Sequence, residues 1–195
     1  MKVKICGITC LEDAATCEDL GADAVGFVHL PGRIRSRPLS DISEICSSLG
    51  PLTAKVLVCS PPDVETALNM LALSGASILQ LYSLEPIELE ELRDQGAKVL
   101  RVAHPCAEEA AVYAGSSDAL VFEEGTPGTG TSYDYSLVPP EFRSRAFISG
   151  GLTPDNVHLA KSLKPYGVDV SSGVESVPGR KDSGKVADFI RRSKQ

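Results

Sequence analysis

The chain has 195 residues, 43% of them hydrophobic and 23% charged, with a formal net charge of −7. That length and composition fit one globular domain, residues 1–195. An acidic chain without a basic stripe argues against a nucleic-acid binder, and no apolar run approaches the ~20 residues of a membrane helix.

The first strand is expected at residues 3–6, VKIC, and Gly7 breaks its pattern. Apolar, β-branched runs then recur at 24–30, 55–60, 78–82, 98–104, 119–123, 146–150 and 167–172. Most gaps between them carry helix-period segments, such as LEDAATCEDL, DISEICSSL, PDVETALNMLAL and PIELEELRDQ. Gly21, Gly50, Gly75 and Gly96 follow four of these segments, where a left-handed C-cap favours glycine. Pro86 and Pro154 are placed for a first helical turn. The stretch from Glu123 to Phe142 is rich in glycine and proline and reads as a long loop. Strands alternating with helices imply parallel pairing with right-handed crossovers. Eight such units make the fold α/β, a compact (β/α)8 barrel. The alternative, an open doubly wound sheet, lacks its glycine fingerprint after strand 1.

Six cysteines occur with no CxxC pair, which argues against zinc ribbons and thioredoxin-like chemistry. Cys17, Cys46 and Cys59 fall in apolar periodic segments and read as small core residues. MKVKICG lacks the apolar region of a secretion signal, so reduced thiols and a cytoplasmic location are expected. No cluster of histidines and carboxylates suggests a metal. The one basic cluster, GRIRSR at 32–37, suits a small anionic ligand or a solvated loop.

A barrel carries its chemistry at the C-terminal ends of its strands. Cys6, His29, Tyr82, His104, Glu123, Glu124, Ser149 and Ser171 are expected there. Two of these ends, ISGGLTPDNV at 148–157 and VDVSSGVES at 168–176, finish in small residues and glycine. Paired loops after strands 7 and 8 form a frequent phosphate site in such barrels. Gly150, Gly151, Ser172 and Gly173 are assigned to it. Asp169 and Lys4 are charges within apolar strands 8 and 1, which adjoin in a closed barrel. An unpaired buried charge is costly, so the two are expected to pair inside.

KICGIT, GADAVGFV, SGGLTPDNV, GVDVSSGVE and PGRKD, in this order over residues 2 to about 190, jointly resemble the phosphoribosylanthranilate isomerase family of tryptophan biosynthesis. The resemblance implies an Amadori rearrangement of N-(5'-phosphoribosyl)anthranilate by general acid–base catalysis, without a cofactor. It implies that Cys6 is the base, taking a proton from C2 of the ribose part. It implies an acid at the end of strand 6, a carboxylate-binding arginine before the second helix, and a supporting role for Asp169.

The chain departs from the family pattern in three places. Strand 6 ends in Val-Phe-Glu-Glu where the family reads Leu-Leu-Asp-Thr. Alternation puts Glu123 on the face of Val121 and Glu124 on the other, so Glu123 is assigned as the acid. Gly128-Thr129-Gly130, which matches the family's Gly-Ser-Gly, is compatible with either glutamate. On strand 4, Tyr82 replaces a histidine. The arginine loop is longer than usual; reading back from Pro38 assigns Arg37 to the carboxylate, with Arg35 the alternative. His29 and His104 are read as pocket lining or rim, and His158 as surface.

Two other readings compete. Sugar-phosphate isomerases and epimerases with the same phosphate site lack the KICGIT cysteine. A barrel retained as a binding module would account for the changes on strands 4 and 6. The expected partner is the small-molecule phosphoribosyl substrate, with no nucleic acid and no membrane, for a monomer or a homodimer.

Overall fold

A computed structural model of the chain describes residues 1–125 and 130–195. The expected strands form at Lys2–Cys6 (β1), Ala24–His29 (β2), Ala54–Cys59 (β3), Ile78–Leu81 (β4), Lys98–Ala103 (β5), Ala119–Phe122 (β6), Ala146–Ile148 (β7) and Gly167–Val170 (β8). Each pairs in parallel with the next, and β8 pairs with β1, closing the barrel in sequence order. Helices α1 (Leu11–Asp19), α2 (Leu39–Ser48), α3 (Val64–Ser74), α4 (Pro86–Asp94) and α5 (Ala107–Tyr113) cross between the first six strands. Between β6 and β7 the described residues carry only two 3-10 turns, Tyr135–Leu137 and Pro140–Arg145. A short α6 (Val157–Ser162) precedes β8. A two-stranded hairpin, β9 (Glu175–Val177) with β10 (Arg180–Lys181), and the helix α7 (Ser183–Lys194) complete the chain. No helix among the described residues is long and apolar enough to cross a membrane.

Local chemistry sets the helix ends. Asp63 caps α3 by accepting from the amide of Thr66. Glu85 and Glu88 form a reciprocal capping box at α4, with Pro86 in its first turn. Gly21, Gly75 and Gly96 take positive φ after α1, α3 and α4, whereas Gly50 does not. Pro154 lies ahead of its helix rather than in the first turn, because α6 begins only at Val157. Thr153 Oγ1 accepts from the amides of Asp155 and Asn156 and fills the gap with a hydroxyl-capped turn.

Alternation divides each strand between two cores. Outward residues, among them Val3, Ile5, Val25 and Leu57, pack beneath the helices. Inward residues, among them Val56, Leu100, Val121 and Phe147, fill the barrel. Lys4 points inward and is fully buried. The register sets it opposite Asp169, and its Nζ lies 2.9 and 3.0 Å from the two carboxylate oxygens. The expected pair therefore forms inside the barrel.

Removing one partner of a buried pair strands the other charge. Lys4→Met is expected to lower unfolding free energy by about 3–5 kcal/mol, and Lys4→Met with Asp169→Leu by less, because an apolar pair strands no charge. Urea denaturation of both variants checks this. A single variant within ~0.5 kcal/mol of wild type, the range of surface substitutions, would contradict it.

Candidate active site

The C-terminal ends of the strands surround a cavity of about 350 Å³. Cys6, Gln80, Tyr82, Glu123, Asp169 and Arg35 are in its wall. A narrow recess of about 30 Å³ at the ends of β7 and β8 is lined by Gly150, Gly151 and Ser172. The two share Glu123, Ser149, Asp169 and Ser171 as common wall. A larger hollow of about 480 Å³ opens at the opposite end, where Ala24, Ala54 and Ala119 leave space. None of the cysteines lines it; Lys2, Asp23, Lys98, Asp118 and Arg145 stand among its apolar residues.

Cys6 ends β1 and faces inward two residues beyond Lys4. Gly26 on β2 makes room for both: a Cβ there would stand 2.9 Å from Cys6 Sγ and 3.0 Å from Lys4 Nζ. The thiol is buried, and burial pushes it above its ordinary pKa. The Lys4 ammonium opposes that shift, the Asp169 carboxylate adds to it, and Lys181 again opposes. For Lys4 itself burial favours the neutral form, but Asp169 and Cys6 outweigh it and raise its pKa. The thiol thus has a fixed cation beside it on which a thiolate can rest.

Glu123 follows β6 directly, its amide donating to the Ala103 carbonyl at 3.2 Å. The Tyr82 hydroxyl donates to its Oε2 at 2.9 Å. Burial raises the Glu123 pKa, the Tyr82 bond lowers it, and Asp169 raises it further, leaving a net upward shift. Glu124 is exposed and borders only the recess. Gln80 on β4 is buried, and its Oε1 has no partner among the described residues. Sequence reasoning passed over it, although an amide inside an apolar strand is a visible signal.

The arginines part company. Arg37 does not line the cavity; its Nε donates to the Thr9 carbonyl at 3.1 Å and its Nη1 to the Ser36 carbonyl at 3.2 Å. Its own carbonyl meets His29 Nδ1 at 2.8 Å, which ties the end of β2 to its loop. Arg35 lines the cavity instead. Gly7 lets it pass: with φ +73°, a Cβ there would stand 2.5 Å from Arg35 Cδ and 2.7 Å from Ser171 Oγ. Arg35 Nε and Nη2 each reach a Glu175 oxygen at 2.7 Å, a fork-to-fork pair. Lys181 Nζ adds 3.0 Å to the same carboxylate and 3.1 Å to the Ser171 carbonyl. Burial would push Glu175 up, but Arg35 and Lys181 outweigh it and hold its pKa below the usual range. Glu175 and Lys181 were not singled out from sequence, although GVES and GRKD hold them.

The glycine turns of β7 and β8 shape the recess. Gly151 has φ +62°, and a Cβ on it would collide with the Ser132 backbone. A Cβ on Gly173 would run into the Leu152 carbonyl. Gly150 is held through its carbonyl by Tyr135 Oη at 2.7 Å, and Gly151 by Asn156 Nδ2 at 2.8 Å. The amides of Gly151, Ser172 and Gly173 meet no acceptor among the described residues. Such amides suit an anion. Gly128 and Thr129 lie outside the described residues; Gly130 borders the recess.

The family model described as N-(5'phosphoribosyl)anthranilate (PRA) isomerase matches residues 3–192. The N-(5'-phosphoribosyl)anthranilate isomerase of Stutzerimonas stutzeri is 37% identical, over 98% of this chain and 96% of the relative. That of Thermotoga maritima is 36% identical, over 100% and 98%. The crystal structure of phosphoribosyl anthranilate isomerase from Thermus thermophilus superposes with a TM-score of 0.91 at 33% identity, covering 98% of each chain. A phosphoribosyl anthranilate isomerase in complex with reduced 1-(o-carboxyphenylamino)-1-deoxyribulose 5-phosphate gives 0.85 at 33% identity, covering 100% of this chain and 98% of that one. The chain belongs to the N-(5'-phosphoribosyl)anthranilate isomerase family.

Proposed function

We propose that the chain, as one unit over residues 1–195, converts N-(5'-phosphoribosyl)anthranilate to 1-(2-carboxyphenylamino)-1-deoxyribulose 5-phosphate in tryptophan biosynthesis, with Cys6 as base and Glu123 as acid. The observation that carries the role assignment is the single cavity holding the Cys6 thiol and the Glu123 carboxyl, continuous with a recess of open amides. Glu123 gives its proton to the ring oxygen. The C1–O bond breaks toward that oxygen, and the nitrogen lone pair forms an iminium. The Cys6 thiolate takes the proton from C2, and those electrons quench the iminium to an enolamine. Loss of the enol proton and gain of one at C1 give the aminoketone. Atoms and charge balance without a cofactor.

The recess of Gly150, Gly151, Ser172 and Gly173 takes the phosphate. Asp169 holds Lys4 beside the thiol and borders the sugar. Arg35 takes the anthranilate carboxylate in this reading: it lines the cavity, two of its nitrogens are tied to Glu175, and Nη1 has no bond among the described residues. Arg37 has the structural role of bracing the loop. With this reaction, the cytoplasm is the expected location and the partner is a small-molecule substrate.

Turnover is followed by loss of substrate fluorescence, with the substrate generated in situ from anthranilate and phosphoribosyl pyrophosphate. Cys6→Ala and Glu123→Gln are each expected to lower kcat by about 100-fold or more, the low end of what a positioned acid or base supplies. A folded wild type that only matches the spontaneous rate would remove this reading. An active wild type with an undiminished Glu123→Gln would remove Glu123 as the acid.

The pH profile follows from the two shifts. Activity needs a thiolate and a protonated carboxyl together, so the profile is bell-shaped. Both groups are raised by burial. The acidic limb is therefore expected above the ordinary carboxylate range and the alkaline limb above the ordinary thiol value. Limbs at the values of the free side chains would contradict the buried environment.

A further inference from the structure

Two of the positions at which the chain departs from its family pattern, Tyr82 after β4 and Glu123 after β6, meet through one hydrogen bond of 2.9 Å. The peptide that links Phe122 to Glu123 is already fixed. The Phe122 carbonyl accepts from the Ser149 amide at 2.9 Å and from Tyr133 Oη at 3.2 Å, and the Glu123 amide donates to Ala103. What remains free is a side chain with one more methylene than aspartate. A glutamate loses up to about 1.5–2 kcal/mol of rotamer entropy when ordered, so its carboxyl needs a partner to stay in one place.

The nature of that partner matters. Glu123 is faced by Lys4 from β1, Asp169 from β8, Arg33 from the loop after β2, and Tyr133 from the loop after β6. A bond to Lys4 or Arg33 would hold the carboxyl ionised and draw it from the reacting oxygen. Tyr82 is a neutral donor. It fixes the carboxyl without supplying a charge, and because the phenol proton is committed to Oε2, the acidic proton belongs on Oε1. Burial and the neighbouring carboxylate keep the phenol itself protonated.

We propose that Tyr82 is the positioning residue of the acid: its hydroxyl anchors Glu123 Oε2 so that Oε1 presents the transferable proton to the ring oxygen of the substrate. This rests on Glu123 as the acid, the reading given above. The replacement of histidine by tyrosine and of aspartate by glutamate is then one linked change, in which the tyrosine steadies the longer acid.

The test is Tyr82→Phe, which removes one oxygen and keeps the ring. Its kcat is expected to fall by about 100-fold, the cost of a carboxyl displaced by ~1 Å. KM is expected to stay within about twofold, because the lost contact is not with substrate. Tyr82→Phe in a Glu123→Gln background is expected to add nothing, since the two act as a unit. The limb of the pH profile that Glu123→Gln abolishes is expected at higher pH in Tyr82→Phe, because a donor to the carboxylate has been lost. A 13C titration of the Glu123 carboxyl, assigned by its absence in Glu123→Gln, is expected to show the same shift without substrate. An active wild type whose Tyr82→Phe variant keeps its kcat and pH profile overturns the proposal alone. So does a variant that raises KM with kcat unchanged, or one equally harmful in both backgrounds. A wild type without turnover overturns the acid reading, and the proposal falls with it.

Discussion

The buried pair of Lys4 and Asp169 is the constraint on which the rest of the site depends. An ammonium taken out of water is tolerated only beside an anion, and closure of the barrel through β1 and β8 brings one into register with it. Two unlike demands are met at once. The fold gains a fixed electrostatic centre in an otherwise apolar interior. The chemistry proposed for Cys6 gains a cation beside the thiol, which opposes the cost that burial puts on a thiolate. Gly26 is part of the same arrangement, since any side chain there would occupy the space of both groups.

Around that centre the site divides by charge. The thiol, the carboxyl of Glu123 and Asp169 face one cavity. Open amides line the recess beyond Gly150 and Gly151. On the far side Arg35, Glu175 and Lys181 form a compact network anchored by the β9–β10 hairpin. A network of this kind sets the arginine's guanidinium plane in advance, so fewer rotamers are frozen when an anion arrives. The same hairpin is latched to α1, where Asp13 accepts from the Lys181 amide at 2.8 Å.

Much of this is visible in the order of residues. Period-2 runs separated by period-3.6 runs specify a closed α/β barrel, and alternation within β1, β6 and β8 puts Lys4, Cys6, Glu123 and Asp169 on one face. The pairing of Lys4 with Asp169 follows from burial and adjacency alone. The arginine loop is different. Between Leu30 and Pro38 there is no period to count, so which arginine turns inward depends on Gly7 and Glu175, which are distant in sequence. The bond between Tyr82 and Glu123 is hidden for the same reason: strands 4 and 6 are not neighbours, and only the curvature of the barrel brings their ends together. The late start of α6 reflects a hydroxyl-capped turn that propensity does not separate from a helix.

The most direct measurement is the structure of this protein with the reduced product analogue bound. The account predicts the phosphate on the amides of Gly151, Ser172 and Gly173, the carboxyphenyl carboxylate on Arg35, and C2 of the sugar at about 3.5 Å from Cys6 Sγ, within near-attack range. A phosphate seated elsewhere, or a sugar whose C2 faces away from Cys6, would contradict it.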